Sequence, residues 1–202
     1  MEVTVDGKSA VVEPPGERSL GQVLDEAREK VLDQGRVITE IKLDGEILEA
    51  GRQEELGSRW AGEFDRVEIT TRQAAELARE TLLELVRHVE QVEAVIPELV
   101  GHLEGERVQE AMSLLGACCQ MWAVVQEALS RVGTLLGWDY GEENVAGKSV
   151  AEWLGDMEGT LRQMNEALVN RDYFLLGEAL TYEFSPAMSR WQGILKQLAE
   201  DV

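Results

Sequence analysis

Apolar and polar residues alternate at the start of the chain, and the period changes further along. In "MEVTV", Met1, Val3 and Val5 are apolar and Glu2 and Thr4 polar, the period of a strand with one buried face. Asp6-Gly7 follows and then "KSAVVE", which predicts a hairpin closed by a two-residue turn with positive φ. "SLGQ" at 19–22 is a capping box, with Ser19 and Gln22 satisfying the first free amides of a helix. Leu20, Val23, Leu24, Ala27 and Val31 form its apolar face, and the helix ends before Gly35. "RVITEIKLDGEIL" repeats the hairpin logic around Asp44-Gly45, with Val37, Ile41 and Leu43 on one face. A polar, glycine-containing stretch then reads as a loop, and "FDRVEITT" as a last strand with Val67 and Ile69 inward.

From residue 73 the period is helical. Leu82, Leu85, Val89, Val92, Ile96, Leu99 and Leu103 advance by alternating steps of three and four, a heptad seam, with Pro97 predicted to kink or interrupt it. Val108, Ala111, Leu115, Cys118, Trp122, Val125, Leu129, Val132 and Leu136 make a second seam. "GWDYGEENVAGK" breaks the pattern and reads as a loop with nothing bulky to bury, so trypsin is expected to cut early at Lys148. "SVAE" at 149–152 is another capping box, opening a helix that carries Val150, Trp153, Met157, Leu161, Met164 and Leu168. After "NRD" a fourth helix runs to the end of the sequence.

That fourth helix poses a problem of phase. At 100° per residue, Leu180, Ala187, Trp191, Ile194 and Leu198 share one stripe, and Glu183 falls inside it. Pro186 lacks the amide that would bond the Tyr182 carbonyl, so the reading is a break in which Glu183 ends one segment at the surface and Ser185 caps the next. The alternative is a buried Glu183 with a partner. Large apolar groups also exceed what one stripe uses. With Leu176 at 0°, Leu175 and Tyr182 lie near about −100° and −120°, and Phe174 is almost opposite. Phe174, Leu175 and Tyr182 are therefore the candidate partner-binding residues.

Strand, turn, strand, helix, strand, turn, strand, loop, strand over residues 1–70 resembles the β-grasp, or ubiquitin-like, fold. The resemblance rests on order and spacing and implies a protein-recognition module. No diglycine terminus is present, so conjugation or sulfur-carrier chemistry does not carry over. "NRDYFLLGEALTYEFSPAMSRW" resembles, over about thirty residues, the last helix of flagellin export chaperones, small acidic helical bundles that hold an unfolded partner's helical end. Pro186 and the N-terminal half depart from that pattern.

Composition narrows the function. The chain carries 19 basic and 39 acidic residues, a net charge of −20. Residues 1–71 hold 9 basic against 17 acidic residues and residues 72–202 hold 10 against 22, so the acidity is spread throughout. Such a field repels phosphate backbones and anionic lipid, and simple solubility or a basic partner fits better. No signal peptide is visible, no run approaches the ~18 apolar residues of a membrane span, and the only cysteines, Cys118 and Cys119, read as reduced, which suits the cytoplasm.

Candidate chemistry is sparse. "GEENVAGKS" at 141–149 departs from the phosphate-loop pattern, with Gly141 one residue too early. His88 and His102 each follow a glutamate four positions back, a spacing that suits local pairing on a solvated face better than a di-iron site. No catalytic, cofactor-binding or metal-ligating residue is assigned. The sequence therefore predicts an α+β protein: a ubiquitin-like β-grasp domain at 1–71, then an antiparallel four-helix bundle at 72–202. The expected function is a non-enzymatic, adaptor-like or chaperone-like interaction protein without a cofactor, binding an amphipathic or basic segment of a protein partner on the bundle. A ferritin-like metal or small-ligand bundle and a structural coiled-coil homodimer are the alternatives.

Overall fold

The computed structural model describes residues 1–9 and 18–202. It is an α+β protein, an N-terminal mixed sheet followed by a mostly helical region. The chain divides into two compact units, Met1–Leu77 and Ala78–Val202.

In the N-terminal unit, β1 (Glu2–Val5), β2 (Lys8–Ser9), β3 (Arg36–Leu43), β4 (Glu46–Ile47) and β5 (Arg66–Gln73) form one sheet in the order β2-β1-β5-β3-β4. The β1–β5 pair is parallel and the other pairs antiparallel. Both predicted turns are present, with positive φ at Asp6 and Gly7 and at Asp44 and Gly45. The remainder of the returning strand expected over 8–13 lies outside the described residues. Helix α1 (Leu20–Leu32) starts on the complete Ser19–Gln22 capping box. Leu20, Val23, Leu24 and Ala27 of its apolar face pack with Val3, Ile41, Leu43, Val67 and Ile69 in one core.

The sheet is also tied by charge. The Asp6 carboxylate accepts hydrogen bonds from Thr71 N and Thr71 Oγ1, at 2.8 and 2.7 Å, and from Arg36 Nη2 at 3.0 Å. The Thr71 hydroxyl, helped by Arg36, holds the Asp6 pKa below the usual carboxylate value. One expectation fails here. The glycine-containing stretch is not all loop: α2 (Ala50–Gly57) and a 3₁₀ turn at Ala61–Glu63 occupy it. Helix α2 has no side-chain N-cap bond and too few apolar residues to show a period, so its signal is tertiary. Because the unit has its own core and Gln73 pairs with Arg36, a fragment ending at Leu77 is expected to unfold cooperatively by urea and circular dichroism. A non-cooperative transition would mean that the core needs the rest of the chain.

The C-terminal unit holds α3 (Ala74–Glu104, its first turn preceding the boundary), α4 (Val108–Leu136), α5 (Val150–Val169), α6 (Tyr173–Ala179), a π-helical turn at Leu180–Phe184 and α7 (Ser185–Asp201). The seam residues of α3 and α4 are almost all buried. Trp122 of α4 meets Trp191 of α7 edge to face, with ring centroids 5.2 Å apart. Glu93 accepts from Ser189 and Gln192, and Glu90 faces Lys196 at 3.6 Å, so α3 and α7 run in opposite directions. Pro97 does not interrupt α3, because the buried residues on either side, Ile96 and Leu99, hold the helix to the core. Helix α4 is long and apolar enough to span a bilayer by length and composition, which corrects the sequence reading. Its buried residues repeat at heptad spacing in the shared core.

The segment after α4 is also not the featureless loop expected. Strands β6 (Asn144–Val145) and β7 (Lys148–Ser149) pair, Val145 is buried, and Trp153 Nε1 donates to the Val145 carbonyl at 2.8 Å. Tyr140 lays its ring on Gly133, where an added Cβ would come within 2.7 Å of the ring, and its hydroxyl donates to the Leu129 carbonyl. Burial pushes the Tyr140 pKa up to about 12, against the pull of the Gly133 N–H and with a small push from Glu143. The unfolded chain ionises this tyrosine first, so stability is expected to fall as pH rises from about 10 toward 12. Urea titrations of Tyr140→Phe should show a flatter dependence over that range.

Candidate functional site

The surface that stands out is built on the fourth helical segment. Asp172 caps α6, its carboxylate accepting from Leu175 N at 2.9 Å. One row of buried side chains then runs Leu176, Leu180, Phe184, Met188, Trp191, Leu195 and Leu198, with Ala179, Ile194 and Ala199 buried beside it. The first three steps are all fours, too wide a spacing for one stripe of an α-helix. The chain accommodates them with a π turn, closed by Ser185 N donating to the Leu180 carbonyl. One extra residue enters the turn, so Phe184 takes the inward place that the α-helical phase gave to Glu183.

This answers the problem of phase. Glu183 is exposed, but no break ends the helix there, and Ser185 is helical and not a cap. Proline at 186 explains the location. Its ring would press on the Tyr182 carbonyl in an α-helix, and the wider turn relieves that contact.

Three large apolar side chains of this segment stay outside the core. Phe174 is 77%, Leu175 48% and Tyr182 73% exposed. Two grooves flank Tyr182. The first, about 720 Å³, lies between the last turns of α3 (Ile96, Pro97, Val100, Leu103) and Tyr173, Phe174 and Tyr182. The second, about 470 Å³, lies between the end of α5 (Ala167, Asn170) and Leu175, Ala179 and Tyr182. Glu104, Glu106 and Glu178 line the first, and Glu166, Glu178 and Glu183 the second. Among the described residues, neither groove is lined by a lysine, arginine or histidine. A smaller depression of about 240 Å³ beyond Tyr182 contains Trp153, Asp156 and Arg190.

Other sequence candidates are dispersed. His88 and His102 lie on the single helix α3, fourteen residues and so about 21 Å apart, too far to share an ion. His102 Nε2 is 3.6 Å from the Glu98 carboxylate, and the Nδ1 atoms of both histidines are buried without a hydrogen-bond partner. Among the described residues, no three His, Cys, Asp or Glu side chains gather as a metal site. Cys118 is buried in the seam, which pushes its thiol pKa up, and Cys119 beside it is exposed. Ser149 caps α5 with Glu152, and Lys148 pairs with Asp156 at 2.6 Å, so "GEENVAGKS" builds a hairpin and a helix start. The grooves themselves were not legible in the sequence, since their walls come from α3 and α5; the one sequence signal was the excess of apolar residues at 174–182.

The fold and site together define an α+β chain whose helical unit exposes an apolar, acid-rimmed surface around a π turn. Residues 80–194 match the family described as a domain of unknown function, DUF8042, and the chain belongs to that family. Residues 1–73 are similar to the TP0873 N-terminal domain. No curated protein matches the chain, and no solved structure does.

Proposed function

We propose that this protein is a non-enzymatic interaction module, adaptor-like or chaperone-like, that holds a protein partner at the grooves beside Tyr182. The observation that carries the reading is the cluster of three large apolar side chains left exposed on nine residues of helix in a strongly acidic chain. Exposed apolar groups that flank grooves mark interaction surfaces. The strand order β2-β1-β5-β3-β4 with a parallel β1–β5 pair supports a β-grasp N-terminal unit, and the heptad seams of α3 and α4 with α5 and α6–α7 support an antiparallel four-helix bundle. Cytoplasmic residence accords with the free thiols of Cys118 and Cys119, and the net charge of −20 disfavours nucleic acid and anionic membrane as ligands.

Partner capture by immobilised protein, compared between wild type and Leu175→Ser/Tyr182→Ser, tests the reading. Proteins retained by the wild type are expected to be lost from the double variant, while the melting temperature stays nearly unchanged because exposed substitutions usually act within about 0.5 kcal/mol. A steep fall in melting temperature would make these residues part of the core, and unchanged capture would place binding elsewhere.

A further inference from the structure

We propose that the surface around Tyr182 receives a basic amphipathic α-helix of the partner protein, its apolar face shared between the two grooves and its lysines or arginines set against the rim carboxylates. This inference rests on the interaction reading above and adds the partner's chemistry.

The walls decide the occupant's conformation. Both grooves lie between helices, and the residues that line them belong to helices or their ends, with no strand edge to pair with. An extended peptide would enter with its own N–H and C=O groups unpaired, whereas a helix arrives with them already bonded. Tyr182 lines both grooves and stands between them as a ridge. A helix about 10–12 Å across offers rows of side chains on either side of its apolar stripe, so one row can enter beside Phe174 and the other beside Leu175.

Charge decides the sign. Glu104, Glu106, Glu166 and Glu178 line the grooves and have no ion pair among the described residues. A helix with basic flanks supplies the missing counter-charge, while an acidic helix meets like charge. A second copy of this chain would bring the same carboxylates and a net charge of −20. Anionic lipid is repelled for the same reason.

The test uses the whole 202-residue chain and three fluorescently labelled peptides of about 18 residues, or five turns. One is a leucine–lysine peptide with helical period, one its scrambled isomer, and one the leucine–glutamate counterpart. Anisotropy titrations should show the leucine–lysine helix binding at least about tenfold more tightly than the other two. Tyr182→Ser should weaken it by about tenfold or more, as expected for a central aromatic contact. Glu166→Gln/Glu178→Gln should weaken it and flatten its salt dependence, while Glu127→Gln/Glu158→Gln, which lies outside the grooves, should leave it unchanged.

Failure of the leucine–lysine helix to bind overturns the proposal. So does equal weakening by Glu127→Gln/Glu158→Gln, which would mean general attraction to an acidic surface. Tighter binding of the scrambled or acidic peptide, sensitive to Tyr182→Ser, overturns the partner's chemistry and leaves the docking surface standing. Self-association in sedimentation that Tyr182→Ser abolishes assigns the surface to a second copy and overturns it as well. If neither peptide binding nor partner capture responds to Tyr182→Ser, the interaction reading falls too.

Discussion

Phe184→Ala is expected to destabilise the helical unit by about 3–5 kcal/mol, the usual cost of emptying a fully buried aromatic site. Phe184 is 0% exposed and sits in the π turn, where its ring joins the core of the unit. For a chain of this length the melting temperature should drop by on the order of 10 °C. Its neighbour supplies the contrast: Glu183→Ala should change stability by about 0.5 kcal/mol or less, because that side chain is exposed. Urea denaturation of the two variants checks the phase of the whole segment. A mild Phe184→Ala beside a severe Glu183→Ala would return the helix to a continuous α phase and remove the π turn.

A deletion separates the turn from the core it serves. Among the buried positions, the row Leu176, Leu180, Phe184, Met188, Trp191, Leu195 and Leu198 advances by 4, 4, 4, 3, 4 and 3, and removing one residue between Leu180 and Phe184 turns it into a strict 4, 3, 4, 3, 4, 3 heptad. The turn is thus a one-residue insertion in a heptad helix. Deleting Glu183 together with Pro186→Ala, which restores the missing amide, is expected to preserve a cooperatively folded helical unit. A non-cooperative urea transition in the deletion variant would show that the segment cannot pack without its π turn.

Lys148 is expected to resist trypsin in the wild type and to become an early cleavage site in Tyr140→Ala. Sequence pattern pointed the other way, since three glycines interrupt residues 137–148. In the fold, Lys148 belongs to the β6–β7 hairpin, pairs with Asp156 at 2.6 Å and lies over the Trp153 ring at 4.8 Å. Tyr140 fastens the segment to α4 through Gly133 and the Leu129 carbonyl. Removing the ring empties that contact, and a loss of about 2–3 kcal/mol in local stability would raise the open population by roughly 30- to 150-fold. Limited digestion followed by mass spectrometry reads this directly. Equal cleavage in the two proteins would mean that the hairpin is not held by Tyr140.

Much of the architecture was legible because its signals are local. The hairpin turns need residues that tolerate positive φ, and Asp6-Gly7 and Asp44-Gly45 announce them. Ser19 with Gln22, and Ser149 with Glu152, satisfy helix amides within four residues of sequence. The seams of α3 and α4 record burial at every turn. Even the candidate surface left a trace, as Phe174, Leu175 and Tyr182 exceed what one buried face can use.

What the tertiary structure alone decided is where local preference yields to the shared core. Pro97 opposes a helix, yet α3 continues because its flanking residues are buried on both sides. Gly133 lies inside the long helix α4, and only the fold makes it the seat of a tyrosine seven residues away. Glu183 holds the inward phase of an ideal helix, yet Phe184 occupies the core, because burying an aromatic ring outweighs the cost of a widened turn while burying a carboxylate adds desolvation. The grooves follow from the same competition, since their walls belong to α3 and α5 and are brought to Tyr182 only by packing. Hydrogen bonds within four residues and the period of burial are written into neighbouring positions; a phase slip and the hollows around it exist only once several helices compete for one interior.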